Sequence, residues 1–348
     1  MERIRKIALI LLKLAGVALA VWLMKRTVQG VEGSLLSSLQ GSVKPLIAMA
    51  VLCYGIVNFI ASWRWKLLLE VQGMQVPLLS LFRLTMIGAF FSQIIPGSVS
   101  GDILKLAFVM KYGRNRGAEA ALTIVVDRYI GLFGLFAVAA LSCLFCLLKC
   151  PEVVMGNRVV LLAFVFVWSA FVGMPLAWYL VLARGVFMRV RPVAALCGYF
   201  SSHLPGRLNG LVARLAAAVD LHRNENIAVL KAFLMSCVIH SLLAFQIFLL
   251  GKAFHERVMT FLEYTVTAQL GNATGIIPIT PGGMGVRDTV SGALLGVFGA
   301  EPLEALSLVP VTNTIILVLW SLVGAICLLT WNGGSAQGED ADDAARGE

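Results

Sequence analysis

An apolar stretch near the end of the chain is interrupted by Pro278-Ile279-Thr280-Pro281-Gly282-Gly283-Met284-Gly285. We call residues 278–285 the second break. The interrupted stretch runs from residue 261 to residue 298. Prolines and glycines at this density end a helix, so the stretch predicts two short helices around an irregular turn. Irregular backbone at membrane depth is tolerated only where protein or a water-filled cavity surrounds it. The second break therefore predicts a broken, re-entrant helix pair inside a membrane protein.

A similar interruption, Pro96-Gly97-Ser98-Val99-Ser100-Gly101-Asp102, divides the apolar stretch 78–110. We call residues 96–102 the first break. Its Pro-Gly pair lies 185 residues before the Pro-Gly pair of the second break, and charged residues follow both turns. The distribution of basic residues predicts that the first stretch enters the membrane from the cytoplasmic side and the second stretch from the outer side. Transporters built from inverted repeats place broken helices face to face, with the substrate between them. The alternative is that each Pro-Gly pair merely kinks an ordinary spanning helix.

The composition of the whole chain fits a membrane protein. Of its 348 residues, 59% are hydrophobic and only 14% are charged. These values exclude a disordered chain and argue against a soluble enzyme. A helix needs about 20 mostly apolar residues to cross the hydrocarbon core. Six full spans are predicted, at Ile7–Met24, Pro45–Ser62, Ala118–Leu148, Val159–Ala183, Val229–Leu250 and Val309–Trp331.

We therefore predict an all-α polytopic membrane protein with about six full spans and two broken, re-entrant helix pairs arranged as an inverted repeat. One transmembrane domain covers 1–331, with its repeats at about 45–148 and 229–331. The positive-inside rule places the basic connection 184–223 and both termini in the cytoplasm. The tail 332–348 is acidic and predicted to be disordered.

Charged residues within apolar segments are the candidate substrate site, because ionisable groups in a membrane are costly and often functional. We expect Arg128 to face a phosphate or Asp102, and Asp127 to face Lys105 or water. Buried structural ion pairs are the alternative for all of these charges. The breaks would add backbone amides that approach an anion closely. The predicted substrate-binding residues are Pro96, Gly97, Gly101, Asp102, Lys105, Asp127, Arg128, Pro281, Gly282, Gly283, Gly285, Arg287 and Asp288.

Other polar residues give weaker signals. Arg64, Gln269 and Asn272 could line the cavity, whereas His240, Gln246 and Asn313 are expected to join helices by hydrogen bonds. The cysteine stripe at residues 143, 146 and 150 has no histidine or carboxylate in register, so we expect no metal site. The chain carries no Gly-x-Ser-x-Gly, phosphate-loop or His-Glu-x-x-His motif, and we predict no catalytic residue, cofactor or nucleic-acid partner.

Four segments carry a resemblance to a known family. They are Trp63-Arg64-Trp65-Lys66-Leu67-Leu68-Leu69, the first break, Val126-Asp127-Arg128-Tyr129-Ile130-Gly131 and the second break. Together they resemble the lysylphosphatidylglycerol synthase transmembrane, or flippase-like, family, from about residue 5 to residue 331. The resemblance implies a lipid-handling role in the cytoplasmic (inner) membrane of a bacterial or archaeal cell, and relatives are tied to hopanoid or polyprenyl-linked glycolipid pathways.

The chain departs from the family pattern in two places. Ser100-Gly101 stands where the family usually has two glycines before the aspartate, and Lys105 stands for an arginine. Asp288 stands where a glutamate is frequent. No soluble aminoacyl-transferase domain is expected after the last span, so the chain is not expected to be a lysyl-lipid synthase by itself.

The resulting functional hypothesis is a lipid translocase. It would move an anionic or aminoacylated phospholipid, or a polyprenyl-linked lipid, between leaflets. Two alternatives stay open at this point. One is a membrane-embedded transferase acting on a lipid headgroup, with Asp102 or Asp127 as base. The other is a non-catalytic subunit that partners a lipid-synthesis enzyme.

Overall fold

The computed structural model describes residues 32–94, 100–110, 117–182, 226–275 and 280–331. Within these ranges, every regular element is a helix. A 3-10 turn, Pro281–Gly283, lies in the second break. The helices are α1 (Glu32–Gly41), α2 (Lys44–Val71), α3 (Leu78–Ile94), α4 (Ser100–Val109), α5 (Gly117–Lys149), α6 (Pro151–Gly156), α7 (Arg158–Leu182), α8 (Asn226–Ala253), α9 (Phe261–Thr274), α10 (Val286–Val297) and α11 (Ala305–Leu329).

Five helices of the described part, α2, α5, α7, α8 and α11, are long and apolar enough to cross a membrane. They correspond to five of the six predicted spans. The predicted span Ile7–Met24, the basic connection 184–223 and the tail 332–348 lie outside the described residues. One boundary differs, because α2 continues from the predicted end at Ser62 to Val71. The residues that directly follow the predicted span, Arg64 among them, are therefore helical.

Each interrupted stretch contains two helices, α3 with α4 and α9 with α10. Helix α3 has 17 residues, and α9, α10 and α4 have 14, 12 and 10. At about 1.5 Å per residue, none of them covers the roughly 30 Å of a bilayer core. Each stretch can therefore reach a polar surface at both of its ends only as a pair of helices.

Helix α8 packs against four other helices, α2, α5, α9 and α11. Helix α3 packs against α11, while α9 packs against α5. Small residues permit the closest of these approaches, as is usual between membrane helices. A Cβ placed on Gly324 of α11 would lie 1.9 Å from the carbonyl oxygen of Met86 in α3. Backbone therefore meets backbone where α3 crosses α11.

Helix α7 is the outermost of the long helices. Only 17% of an apolar 18-residue segment of this helix is buried within the bundle. It is joined to α5 by aromatic contacts, of which Phe133–Phe171 and Tyr129–Trp178 are stacked. On the inner side of α5, Cys143 and Cys146 are buried in an apolar cluster. The long helices thus form a packed interior, with α7 presenting most of its surface to the surroundings.

Candidate functional site

An ion pair joins the start of α4 to the middle of α5. The Nε and Nη2 atoms of Arg128 donate to the two carboxylate oxygens of Asp102, at 2.7 and 2.9 Å. Lys105, one turn along α4, has its Nζ 3.8 Å from Asp102. A bidentate arginine–carboxylate pair fixes orientation as well as distance. The predicted contact between Arg128 and Asp102 is therefore present.

The prediction that Asp127 faces Lys105 or water was wrong. Asp127 accepts hydrogen bonds from Nε and Nη2 of Arg64 at 2.8 and 3.1 Å, and not from Lys105. Another nitrogen of Arg64, Nη1, donates to Ser236 of α8 at 2.6 Å. Adjacent residues point about 100° apart on a helix, so Asp127 faces α2 and α8 while Arg128 faces α4. This pairing also explains how α2 can continue as a helix through Arg64.

These residues form one electrostatic unit, which we call the charged cluster: Arg64, Asp102, Lys105, Asp127 and Arg128. Lys105 interacts electrostatically with the other four. Its ammonium also lies 5.3 Å from the ring centre of Trp65. Three cations stand against two carboxylates, so the charged cluster has one positive charge in excess. A buried charge is costly unless it is compensated, and an anion would compensate this one.

Exposure within the charged cluster is uneven. The side chains of Asp102 and Lys105 are 10% and 15% exposed, whereas that of Arg128 is 51% exposed. Arg128 nevertheless lies in a helix whose other residues are mostly apolar. A half-exposed guanidinium at such a place can face polar groups of a bound molecule without losing its contact with Asp102. The arrangement can therefore hold an oxyanion from one side.

A second polar cluster follows the second break. Thr314 of α11 accepts from Arg287 Nη2 at 2.5 Å and donates to Asp288 at 2.8 Å. The other oxygen of Asp288 accepts from the backbone N–H of Gly285 at 3.0 Å. Asp288 and Thr314 are 26 residues apart, and so are Asp102 and Arg128. Each half of the chain thus joins an aspartate near its break to the next long helix at the same spacing.

The two broken pairs meet inside the bundle. Helix α3 contacts the Pro281–Gly283 turn of the second break. The side chain of Gln93 lies directly on Gly282, since a Cβ there would be 1.9 Å from Gln93 Oε1. On the preceding residue, Ser92 Oγ would lie 2.6 Å from a Cβ on Gly101. The last turn of α3 therefore touches the first break on one side and the second break on the other.

The glycines of the second break have the conformation that their sequence suggests. Gly282, Gly283 and Gly285 have φ angles of 59°, 71° and 82°, which side-chain-bearing residues rarely adopt. Pro281 begins the 3-10 turn. Of the other predicted site residues, Pro96 and Gly97 lie outside the described residues.

The weaker candidates mostly join helices. His240 Nε2 lies 3.0 Å from the carbonyl oxygen of Gly131 in α5, and Gln246 donates to Asn313 in α11 at 2.8 Å. Gln269 is buried and donates to the backbone of His240 at 2.8 Å. Asn272, near the end of α9, is partly exposed. Among the described residues, no group of three or more His, Cys, Asp or Glu side chains could hold a metal ion.

The sequence prediction missed Gln93. Its side chain is uncharged, so charge patterning does not reveal it. The available signal was its position three residues before Pro96. A long polar side chain at the end of an apolar half-helix, directly before a break, is worth testing as a site residue.

An apolar groove of about 600 Å³ lies between α7, α9 and α10. Its lining includes Ala163, Leu270 and Val290, with Thr274 and Asn157 as its polar members. Val290 lies one helical turn after Arg287. The groove therefore extends along the second broken pair from a point near its polar cluster.

Comparison with known proteins identifies the family. The profile of the family described as lysylphosphatidylglycerol synthase TM region matches residues 10–324. The chain belongs to this family. It is also similar to a UPF0104 membrane protein of Pyrococcus horikoshii, with 20% identity over 334 residues, covering 93% of this chain and 97% of that protein. The predicted resemblance is thereby confirmed.

Membership of the lysylphosphatidylglycerol synthase TM region family fits the observed architecture. The described residues form an all-α polytopic protein with five helices suited to crossing a membrane. The protein is therefore a multi-pass membrane protein of a lipid-related family. Both the charged cluster and the second break fall within the matched region.

Proposed function

We propose that this protein is a lipid translocase that moves an anionic phospholipid or polyprenyl-linked lipid between leaflets of the cell membrane. The observation that carries the proposal is the charged cluster, with its excess positive charge inside a largely apolar bundle. A phosphate at this place supplies the missing negative charge. The shape of the site also matters, because half-exposed Arg128 can contact a headgroup that enters from one side.

Each member of the charged cluster has a role in the proposed translocation. Lys105 and Arg128 bind the phosphate through charge-assisted hydrogen bonds. Asp102 orients both cations, while the Arg64–Asp127 pair anchors α5 to α2 and α8. The acyl chains stay in hydrocarbon, and the groove beside α9 and α10 offers an apolar surface for them. Arg287 and Asp288 form the matching polar cluster at the second break.

The inverted repeat belongs to the same proposal, and the packing supports it. If α2–α5 correspond to α8–α11, the contact of α3 with α11 is the counterpart of the contact of α9 with α5. The contact of α2 with α5 likewise matches that of α8 with α11. The equal 26-residue spacing of the two aspartate contacts agrees with the same correspondence. We infer re-entrant broken pairs that face each other, with both termini in the cytoplasm.

A headgroup transferase is disfavoured by the same contacts. A general base needs a carboxylate that can take a proton from the substrate. Asp102 and Asp127 each accept two hydrogen bonds from an arginine, so both oxygens of each carboxylate are already occupied. The role of non-catalytic subunit does not explain an excess buried cation. Translocation uses the charge directly.

Lys105→Met tests the proposal. It removes the excess charge but keeps the apolar stem beside Trp65, so the fold is expected to persist. A hydrogen bond to a charged group contributes about 1.5–3 kcal/mol, which corresponds to roughly 10- to 100-fold in binding. We expect at least a tenfold loss of phosphatidylglycerol translocation in liposomes. Acyl-labelled lipid and chemical quenching of the outer leaflet measure the rate.

The matched control is Lys231→Met, which removes an exposed lysine from the start of α8. This control should translocate at the rate of the parent protein. Unchanged translocation in Lys105→Met, with the same melting temperature as the parent, would exclude the charged cluster as the headgroup site.

A further inference from the structure

Gln93 is an unusual residue for its position. It lies in the last turn of α3, its exposed fraction is 8%, and its Oε1 has no hydrogen-bond partner in the described part of the structure. Buried polar atoms in folded proteins are nearly always paired. An unpaired atom is costly, because it gives up its hydrogen bonds to water and gains none in the protein. Such an atom at the end of a half-helix points to a partner that arrives from outside the chain.

The surroundings of Gln93 place that partner at the second break. Oε1 lies so close to Gly282 that a Cβ there would be 1.9 Å away. Gly282 also has a positive φ of 59°, so both the space and the backbone require glycine. Any other residue would displace the amide of Gln93. The absence of a side chain at residue 282 therefore keeps this amide at the meeting point of the two broken pairs.

Two more buried polar atoms of this part of the chain form no hydrogen bond within the described residues. They are Oγ1 of Thr280, within the second break, and Nε of Arg287, directly after it, which lies 3.5 Å from Asp288 Oδ1 as an ion pair. Gln93 offers an acceptor, Arg287 offers a donor, and a threonine hydroxyl can do either. A ligand group that both donates and accepts would suit this combination.

We propose that Gln93, together with Thr280 and Arg287, binds a hydroxyl group of the lipid headgroup while the phosphate lies at the charged cluster. A hydroxyl can donate to Gln93 and accept from Arg287 at once. An ammonium group could also donate, but the four cations of the two polar clusters are balanced by their three carboxylates together with the bound phosphate. An ammonium would add an uncompensated positive charge to this balance, whereas a neutral hydroxyl leaves it unchanged. The inference rests on the proposed translocase function and adds the headgroup class.

The test compares lipids of equal charge that differ in hydroxyl groups. Purified protein is incubated with an equimolar mixture of phosphatidylglycerol, phosphatidylinositol and phosphatidylmethanol with identical acyl chains. Mass spectrometry then gives the ratio of retained lipids. We expect the parent to prefer a hydroxylated lipid over phosphatidylmethanol about tenfold, which is the value of one hydrogen bond of about 1.4 kcal/mol. The lipid that is retained preferentially shows whether the hydroxyl belongs to a glycerol or to a cyclic polyol.

Gln93→Met removes the acceptor at nearly constant volume. We expect it to retain anionic lipid but to lose the preference, with a ratio near one. Gln93→Asn keeps an amide but withdraws the carbonyl by one methylene, and the same loss is expected. Gln246→Met is the matched control, because Gln246 is also buried and its Oε1 also lacks a hydrogen bond within the described residues, but it lies between α8 and α11. This control should keep the tenfold preference.

Two results would overturn the inference: a parent protein without preference, or a Gln93→Met protein that keeps it. Lys105→Met distinguishes a failure of the proposed hydroxyl site from a failure of the proposed translocase function. Loss of all three lipids in Lys105→Met, with an unchanged preference in Gln93→Met, supports the phosphate site and rejects the hydroxyl site. The opposite pair of results supports the hydroxyl site and rejects the role of Lys105.

Discussion

Replacing Arg64 by methionine is expected to lower the free energy of unfolding by about 3–5 kcal/mol. The substitution leaves the carboxylate of Asp127 buried without its two arginine hydrogen bonds, and Ser236 loses a donor. A buried charge that loses its partner costs far more than the pair contributes in net terms. The effect should be large because Asp127 lies in the middle of α5, a long apolar helix.

Thermal unfolding of the detergent-solubilised protein measures this effect. The control is Lys66→Met, which lies two residues further along α2 and removes only a partly exposed pair with Glu70 at 3.3 Å. Exposed pairs contribute about 0–1 kcal/mol, so the control should melt near the parent. The double variant Arg64→Met with Asp127→Leu should recover part of the loss, since no lone charge remains. Equal melting temperatures for Arg64→Met and the parent would refute the role given to this ion pair.

Gly324→Ala is the second substitution with a large expected effect, about 2–3 kcal/mol of destabilisation. The new Cβ would lie 1.9 Å from the carbonyl oxygen of Met86 and 3.0 Å from the Cβ of Phe90. Backbone atoms cannot rotate away, so α3 and α11 would have to separate. Because the last turn of α3 carries Gln93, translocation should fall together with stability.

Gly173→Ala in α7 is the matched control for this prediction. Nothing lies within 4 Å of the position that its Cβ would occupy. Alanine is the better helix former by about 0.5–1 kcal/mol, so the control should be neutral or slightly more stable than the parent. Melting temperatures of both variants in one detergent decide the comparison. A stable Gly324→Ala protein would mean that the α3–α11 crossing is looser than described.

The spanning helices were predictable because hydropathy and length report directly on what a bilayer requires. The end of α2 was not, since Arg64 and Lys66 look like residues of a polar loop. Within the helix, Arg64 pairs with Asp127, which lies 63 residues further along the chain, whereas Lys66 pairs with Glu70 one turn away. In a sequence, a charged residue suggests the end of a spanning helix. An ion pair with a distant residue can nevertheless place it inside that helix.

The contacts of neighbouring charges were only partly predictable for a related reason. The position of Asp102 and Arg128 on successive helices suggested their pairing. The rotation of α5 about its own axis decides which face Asp127 presents, and one sequence carries no direct signal of that angle. Gln93 escaped prediction because its significance comes from an unpaired oxygen and from contact with Gly282, both of which arise only in three dimensions.

The outward position of α7 has a consequence for how such a chain changes over time. Val165, Val172 and Leu176 are more than half exposed, so exchange among large aliphatic residues there disturbs few contacts within the bundle. Gly101, Gly282 and Gly324 have no such freedom, because backbone or buried polar atoms occupy the space of a Cβ. We therefore expect mutations to accumulate on the lipid-facing surface while these three interior positions stay fixed. Divergence to 20% identity with the Pyrococcus horikoshii protein is compatible with one architecture on these terms.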